Sequence, residues 1–214
     1  MRPPEDWRRA RATLLIAAVT VGAWVLADML GRDYWAAIWG GFIPARLAAD
    51  VGPGAALAPV WLTPLTATLV HAGILHLAFN MVVLLFCGRP VENVLGAPSL
   101  VALYVLGAYA AAAGQYVLNP GDANPMVGAS GAISAVLGAY AMLFGRNRVR
   151  VANAKLAVWV NALWLMVAWV GLNILMQFAA TSLDLGLAVG AHLGGFLVGL
   201  LLARPLLLFR WRKA

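Results

Sequence analysis

Six apolar stretches, near 12–31, 72–91, 97–118, 130–145, 155–178 and 186–208, set the terms on which this chain can fold. A helix needs about 20 apolar residues to cross the hydrocarbon core of a bilayer, and all but the fourth stretch reach that length. The fourth is shorter and rich in small residues, which in lipid marks a helix packed among other helices. Hydrophobic residues make up 63% of the 214 positions and charged residues 11%, against about 25% charged in soluble domains. A single water-soluble core is excluded. The expected fold is all-α: a polytopic membrane protein with a bundle of six transmembrane helices and an interfacial first loop.

The formal net charge of +7 would suit nucleic acid if it were spread over one face. It is not. Thirteen of the fifteen Lys and Arg fall in four groups: Arg2, Arg8, Arg9 and Arg11; Arg89; Arg146, Arg148, Arg150 and Lys155; Arg204, Arg210, Arg212 and Lys213. A six-span topology puts all four groups on one side. By the positive-inside rule that side is the cytoplasm, with both termini in it. No nucleic-acid partner is expected. The single cysteine, Cys87, lies in an apolar run and allows no intramolecular disulfide. The basic start leads into a stretch longer than a signal-peptide core and without a small-residue cleavage site, so the first span is expected to stay as an anchor. The expected division is a short cytoplasmic N-terminus at 1–11, a six-span domain at 12–208, and a basic cytoplasmic tail at 209–214.

The loops after spans one, three and five then face outward. The first, about 32–71, is the only long connection. Its Tyr34-Trp35-Ala36-Ala37-Ile38-Trp39 run is apolar but too short to span, and suits the headgroup level where Trp is favoured. The third ends in Asn119-Pro120-Gly121-Asp122-Ala123-Asn124-Pro125, dense in turn formers, so the next helix starts close to Ser130. The fifth, about 179–185, is short and polar and is expected to lie over the last span. No internal repeat of the transporter kind is present.

Polar residues inside these spans are the candidates for chemistry, because lipid makes them expensive. Ser130 lies in Gly128-Ala129-Ser130-Gly131, where Gly128 and Gly131 permit tight backbone geometry beside the hydroxyl. His192 lies in Gly190-Ala191-His192-Leu193-Gly194-Gly195, about 9 Å along a helix from Gly186. Small residues line both spans: Gly131, Ala132, Ser134, Ala135, Gly138 and Ala139 on one, Gly186, Gly190, Ala191, Gly194, Gly195 and Gly199 on the other. If those faces pack, the imidazole reaches the hydroxyl. His71, His76 and Asn80 begin the second span, with His76 and Asn80 one helical turn apart on one face. An amide there suits an oxyanion hole.

Each piece has a plainer reading. The glycines also serve helix packing, and a buried histidine can be a structural hydrogen-bond partner. Three histidines can make a zinc site, although no carboxylate or cysteine pattern supports one here, so no metal and no cofactor is expected. A proton relay in a transporter is a further reading. Taken together, the residues fit serine acyl transfer best.

The same residues resemble the rhomboid family of intramembrane serine proteases. The resemblance rests on His71-x4-His76-x3-Asn80 and on Val91-Glu92-Asn93-Val94-Leu95-Gly96, like the family's acidic-to-glycine motif after that span. It rests also on Asn124-Pro125-Met126-Val127-Gly128-Ala129-Ser130-Gly131-Ala132 and on Gly190-Ala191-His192-Leu193-Gly194-Gly195. In order, these cover roughly residues 12–208. The resemblance implies a rhomboid-like bundle with a Ser130–His192 catalytic dyad and no acidic third member. It implies an oxyanion and substrate-binding region of His76, Asn80 and Gly128 with the Ser130 backbone N–H, and His71 in support. Two positions depart from the family. Many members carry an aromatic residue four after the nucleophile, stacked on the histidine, where this chain has Ser134. Many carry Trp-Arg in the first loop, where this chain reads Val60-Trp61-Leu62-Thr63-Pro64.

The expected activity is cleavage of single-span membrane proteins near the outer face of the bilayer. Its substrates would be transmembrane segments with helix-destabilising residues, since a helix hides its carbonyls in hydrogen bonds. They would reach the site laterally, past the fifth span and the 179–185 loop. The alternative is a catalytically silent rhomboid-like protein that binds or escorts membrane helices, and after it a channel or transporter. The expected home is a bacterial inner membrane.

Overall fold

The computed structural model describes residues 6–47, 57–145, 154–179 and 188–212. Among these, α1 (Arg11–Met29), α4 (Ile74–Leu95), α5 (Ala97–Leu118), α7 (Ala154–Ala179) and α8 (Val189–Trp211) are long and apolar enough to cross a membrane. α6 (Ser130–Phe144) is a shorter apolar helix of 15 residues. These six match the six expected spans. Two small helices, α2 (Asp33–Gly40) and α3 (Thr63–Thr66), lie in the first long connection. α2 takes up the Trp-rich run, with Trp35 and Trp39 stacked at 5.6 Å. The described residues form an all-α bundle of apolar helices, as an integral membrane protein requires.

The bundle is apolar outside, and its interior mixes large apolar side chains such as Leu84, Leu103 and Phe196 with small and polar ones. Leu15, Val82, Phe86, Trp164 and Leu201 are exposed, whereas Thr13, Asn80, Glu92, Gln115 and Ser134 are buried. α6 is the centre, with every residue from Ser130 to Ala139 buried. At 1.5 Å per residue it is about 22 Å long, well short of a roughly 30 Å hydrocarbon core. Its small side chains let neighbours come close: Cβ atoms at Gly195 and Gly199 of α8 would collide with the carbonyls of Gly131 and Ala135. The α8 glycines do not form one face for α6, as the sequence suggests. Gly190 and Gly194 lie against Gly114 and Ala110 of α5, while Gly195 and Gly199 lie against α6. α8 is wedged between the two. Gly186 and residues 180–185 of the expected fifth loop lie outside the described residues.

One end of the bundle is fastened by a carboxylate. Glu92, in the last turn of α4, accepts hydrogen bonds from the backbone N–H groups of Ala12 (2.9 Å) and Thr13 (2.8 Å) and from the Thr13 hydroxyl (2.7 Å). These are orphan donors in the first turn of α1, which has no side-chain cap of its own. Arg210 of α8 donates to the Asn93 carbonyl at 2.9 Å. The start of α1 and the end of α8 therefore share one end of the bundle, as an even number of spans requires. At the opposite end α4, α6 and α8 all begin. Their positive helix termini point toward the same region.

Candidate active site

Ser130 is the first residue of α6 and His192 the fourth of α8, so both lie in opening turns. The described part of α8 begins at Val189, so His192 is in the first turn there. The close seam at Gly195 sets the distance between the two helices. Ser130 Oγ and His192 Nε2 are 3.0 Å apart, with 8% and 7% of the residues exposed. A neutral imidazole with its proton on Nδ1 can accept the hydroxyl proton at that distance. The arrangement expected from the sequence is present in its geometry.

His76 faces the same turn. Gly128 has φ +113, a left-handed conformation that suits glycine, and a Cβ there would lie 2.6 Å from His76 Cε1. The glycine before the serine is needed twice, for the backbone turn and for room for the imidazole. Gly128 N–H donates to the Ala67 carbonyl at 2.9 Å, and Phe42 and Met126 exchange backbone hydrogen bonds at 3.0 and 2.8 Å. These bonds tie the loop before Ser130 to the first connection. Asn80 is fully buried, and its Nδ2 donates to the His76 carbonyl at 2.9 Å while Oδ1 has no partner among the described residues. His76 and Asn80 thus share one face of α4, as the spacing predicts, but the amide is turned onto its own helix.

His71 stands behind this group. Its ring meets His76 edge-on at 5.1 Å, and its Nε2 accepts the backbone N–H of Ala129 at 3.4 Å. Burial, and then the neighbouring His76, hold its pKa down at about 3. It is neutral at ordinary pH and can accept that N–H. Two cavities of about 170 and 140 Å³ border His71 on its α1 and α2 side, lined in part by Trp24 and Asp33. Neither touches Ser130 or His192. Among the described residues no group of three His, Cys, Asp or Glu is placed to hold a metal ion.

One residue of the site is not foreseen by the sequence. Trp169 of α7 is buried, and its ring stands 6.1 Å from the His192 ring at 84°. Its Nε1–H donates to Ser134 Oγ at 2.8 Å, and the Ser134 hydroxyl donates to the Ser130 carbonyl at 2.7 Å. Ser134 occupies the place where a stacking ring is expected, and it holds an indole from another helix that meets His192 edge-on rather than stacked. The only signal for Trp169 is an indole in an apolar span, which also fits a lipid-facing belt.

Comparison with known proteins agrees with this architecture. The family model for the rhomboid domain matches residues 59–209. The chain is 30% identical to rhomboid protease GluP of Bacillus subtilis over 148 residues, 68% of this chain and 27% of that protein. It is 26% identical to rhomboid protease GlpG of an Enterobacter species over 193 residues, 89% of this chain and 61% of that protein. RHOMBOID-like protein 4 of Arabidopsis thaliana is 29% identical over 150 residues, 67% of this chain and 34% of that protein. The matches thus span less than two thirds of the length of each of these curated relatives. With the domain model matching residues 59–209, most of the chain, this protein belongs to the rhomboid family.

Proposed function

We propose that the chain is an intramembrane serine endopeptidase that cleaves transmembrane segments of single-span proteins. The observation that carries this reading is the 3.0 Å approach of His192 Nε2 to Ser130 Oγ beside the close seam of α8 on α6 at Gly195. Ionisable side chains inside a membrane are rare and by default mark a functional site.

In the proposed mechanism His192 takes the Ser130 proton as Oγ attacks the scissile carbonyl, then gives it to the leaving amine. Water deacylates the serine with the same imidazole as base. The tetrahedral oxyanion forms beside the start of α6, where the Ser130 backbone N–H, His76 and the Asn80 amide supply donors. To do so, Asn80 exchanges its bond to the His76 carbonyl for one to substrate. The convergent starts of α4, α6 and α8 add positive potential at that point. No step requires a cofactor.

The short α6 gives the site its depth. A helix about 8 Å shorter than the hydrocarbon core begins below the membrane surface. A substrate carbonyl becomes available there only where its helix unwinds, which favours segments with Gly, Pro or polar residues. The basic end, with Arg210 and the start of α1, is assigned to the cytoplasm of a bacterial inner membrane, and the dyad to the outer half. The test uses the purified chain in detergent with a single-span reporter carrying a helix-destabilised segment. The parent cleaves it and Ser130→Ala does not. Equal cleavage by both would overturn the reading.

A further inference from the structure

We propose that Trp169 is the positioning residue that turns the His192 imidazole toward Ser130, and that its place on α7 makes base orientation depend on that helix being seated. The proposal rests on the dyad reading above.

Three contacts fix the indole. Its N–H goes to Ser134 Oγ at 2.8 Å. Ser134 has one proton, which is committed to the Ser130 carbonyl at 2.7 Å, so its oxygen meets Trp169 only as an acceptor. Phe79 of α4 stacks on the indole at 5.3 Å and 23°. The third contact is the perpendicular approach to His192, a favoured aromatic geometry. The ring is 4% exposed and Ser134 fully buried, so losing the bond would leave an indole N–H without an acceptor in an apolar setting. Hydrogen bonds therefore run from α7 through Ser134 to the peptide that bears the nucleophile, while the same indole walls the base.

The helix that carries this ring is the least embedded of the long spans. Only 11% of its apolar window is buried, against 44% for α4 and 33% for α8. Displacing α7 disturbs less packing than displacing any other long helix. It also withdraws Trp169, leaving the imidazole free to rotate. A substrate that enters past α7 thus meets an unaligned base, and cleavage waits until the helix is reseated behind it.

The test uses the full chain in detergent and a small water-soluble fluorophosphonate, which needs no lateral opening to reach Ser130. The labelled fraction at completion counts competent molecules, and the rate constant reports how well His192 is aligned. Trp169→Ala slows the rate constant about tenfold with a parental endpoint, a modest share of what misorientation can cost. Trp169→Phe removes the N–H···O bond, Ser134→Ala removes it together with the hydroxyl's own bond to the Ser130 carbonyl, and each slows it about threefold. The double variant is no slower than either single one. Trp164→Ala, exposed on the same helix, changes neither quantity. A parental rate constant in Trp169→Ala, or a loss confined to the endpoint as a purely structural role would give, overturns the proposal. A parent that takes up no label removes the dyad reading and the proposal with it, which is a different result.

Discussion

The carboxylate of Glu92 accepts both the backbone N–H and the hydroxyl of Thr13, joining the last turn of α4 to the first turn of α1 across 79 residues of sequence. A buried carboxylate with three donors from another helix acts as that helix's cap. Glu92→Ala removes the cap and leaves the buried donors of Thr13 and the half-buried N–H of Ala12 without an acceptor. The expected loss is about 2–4 kcal/mol, at roughly 1–3 kcal/mol for each unsatisfied group with partial relief by water. It appears as a lower thermal midpoint in detergent. The folded fraction keeps its labelling rate at Ser130, because the cap lies at the opposite end of the bundle.

The seam between α6 and α8 depends on absent side chains. A Cβ at Gly195 would run into the Gly131 carbonyl, one residue from the nucleophile. Gly195→Val is expected to push α8 outward and to lower the reporter cleavage rate at least tenfold, since an ångström of misplacement can cost about a hundredfold. Gly171→Ala on α7 meets nothing within 4 Å. It leaves the rate at the parental level. Comparable losses in both variants would show that the seam is not special.

Gly128→Ala tests the loop before the serine. It places a side chain at φ +113 and against the His76 ring. A strained backbone of this kind costs about 1–3 kcal/mol. Cleavage is expected to fall through kcat while the reporter KM holds, because His76 rather than substrate binding is disturbed.

His71 predicts the direction of a pH effect on stability. Its pKa falls from 6.5 in the unfolded chain to about 3 in the folded one, chiefly through burial. The unfolded state then binds the extra proton as pH drops below 6.5, and stability is lost progressively down to about 3. Between pH 7.5 and 5 this one residue accounts for about 2 kcal/mol, at roughly 1.4 kcal/mol per unit of pH below the unfolded value. His71→Gln should therefore lose less thermal stability than the parent over that interval. An identical loss in both would remove the assignment.

The spans and the approach of His192 to Ser130 were legible in the sequence for a physical reason. Lipid imposes a length and an apolar composition on every spanning helix, so 97–118 could be marked as a helix without periodicity. The same solvent makes Ser130 and His192 conspicuous. What stayed hidden depends on how the helices are rotated against one another. Nothing local distinguishes Trp169 from the exposed Trp164 five residues earlier, and only the packing of α7 turns one inward. The motif around Glu92 was visible, but its partners at Ala12 and Thr13 are tertiary neighbours that no spacing announces. Asn80 shared a face with His76 as predicted. That its amide turns back onto the His76 carbonyl is a side-chain detail that spacing does not announce.

The proposed chemistry stands on the pairing of Ser130 with His192. Its most direct test is to treat the detergent-solubilised chain with a fluorophosphonate and map the adduct by peptide mass spectrometry. The parent should carry one adduct, on Ser130, and His192→Ala should carry none while remaining folded by thermal melting. An adduct on another residue, or undiminished labelling of Ser130 in folded His192→Ala, would contradict it.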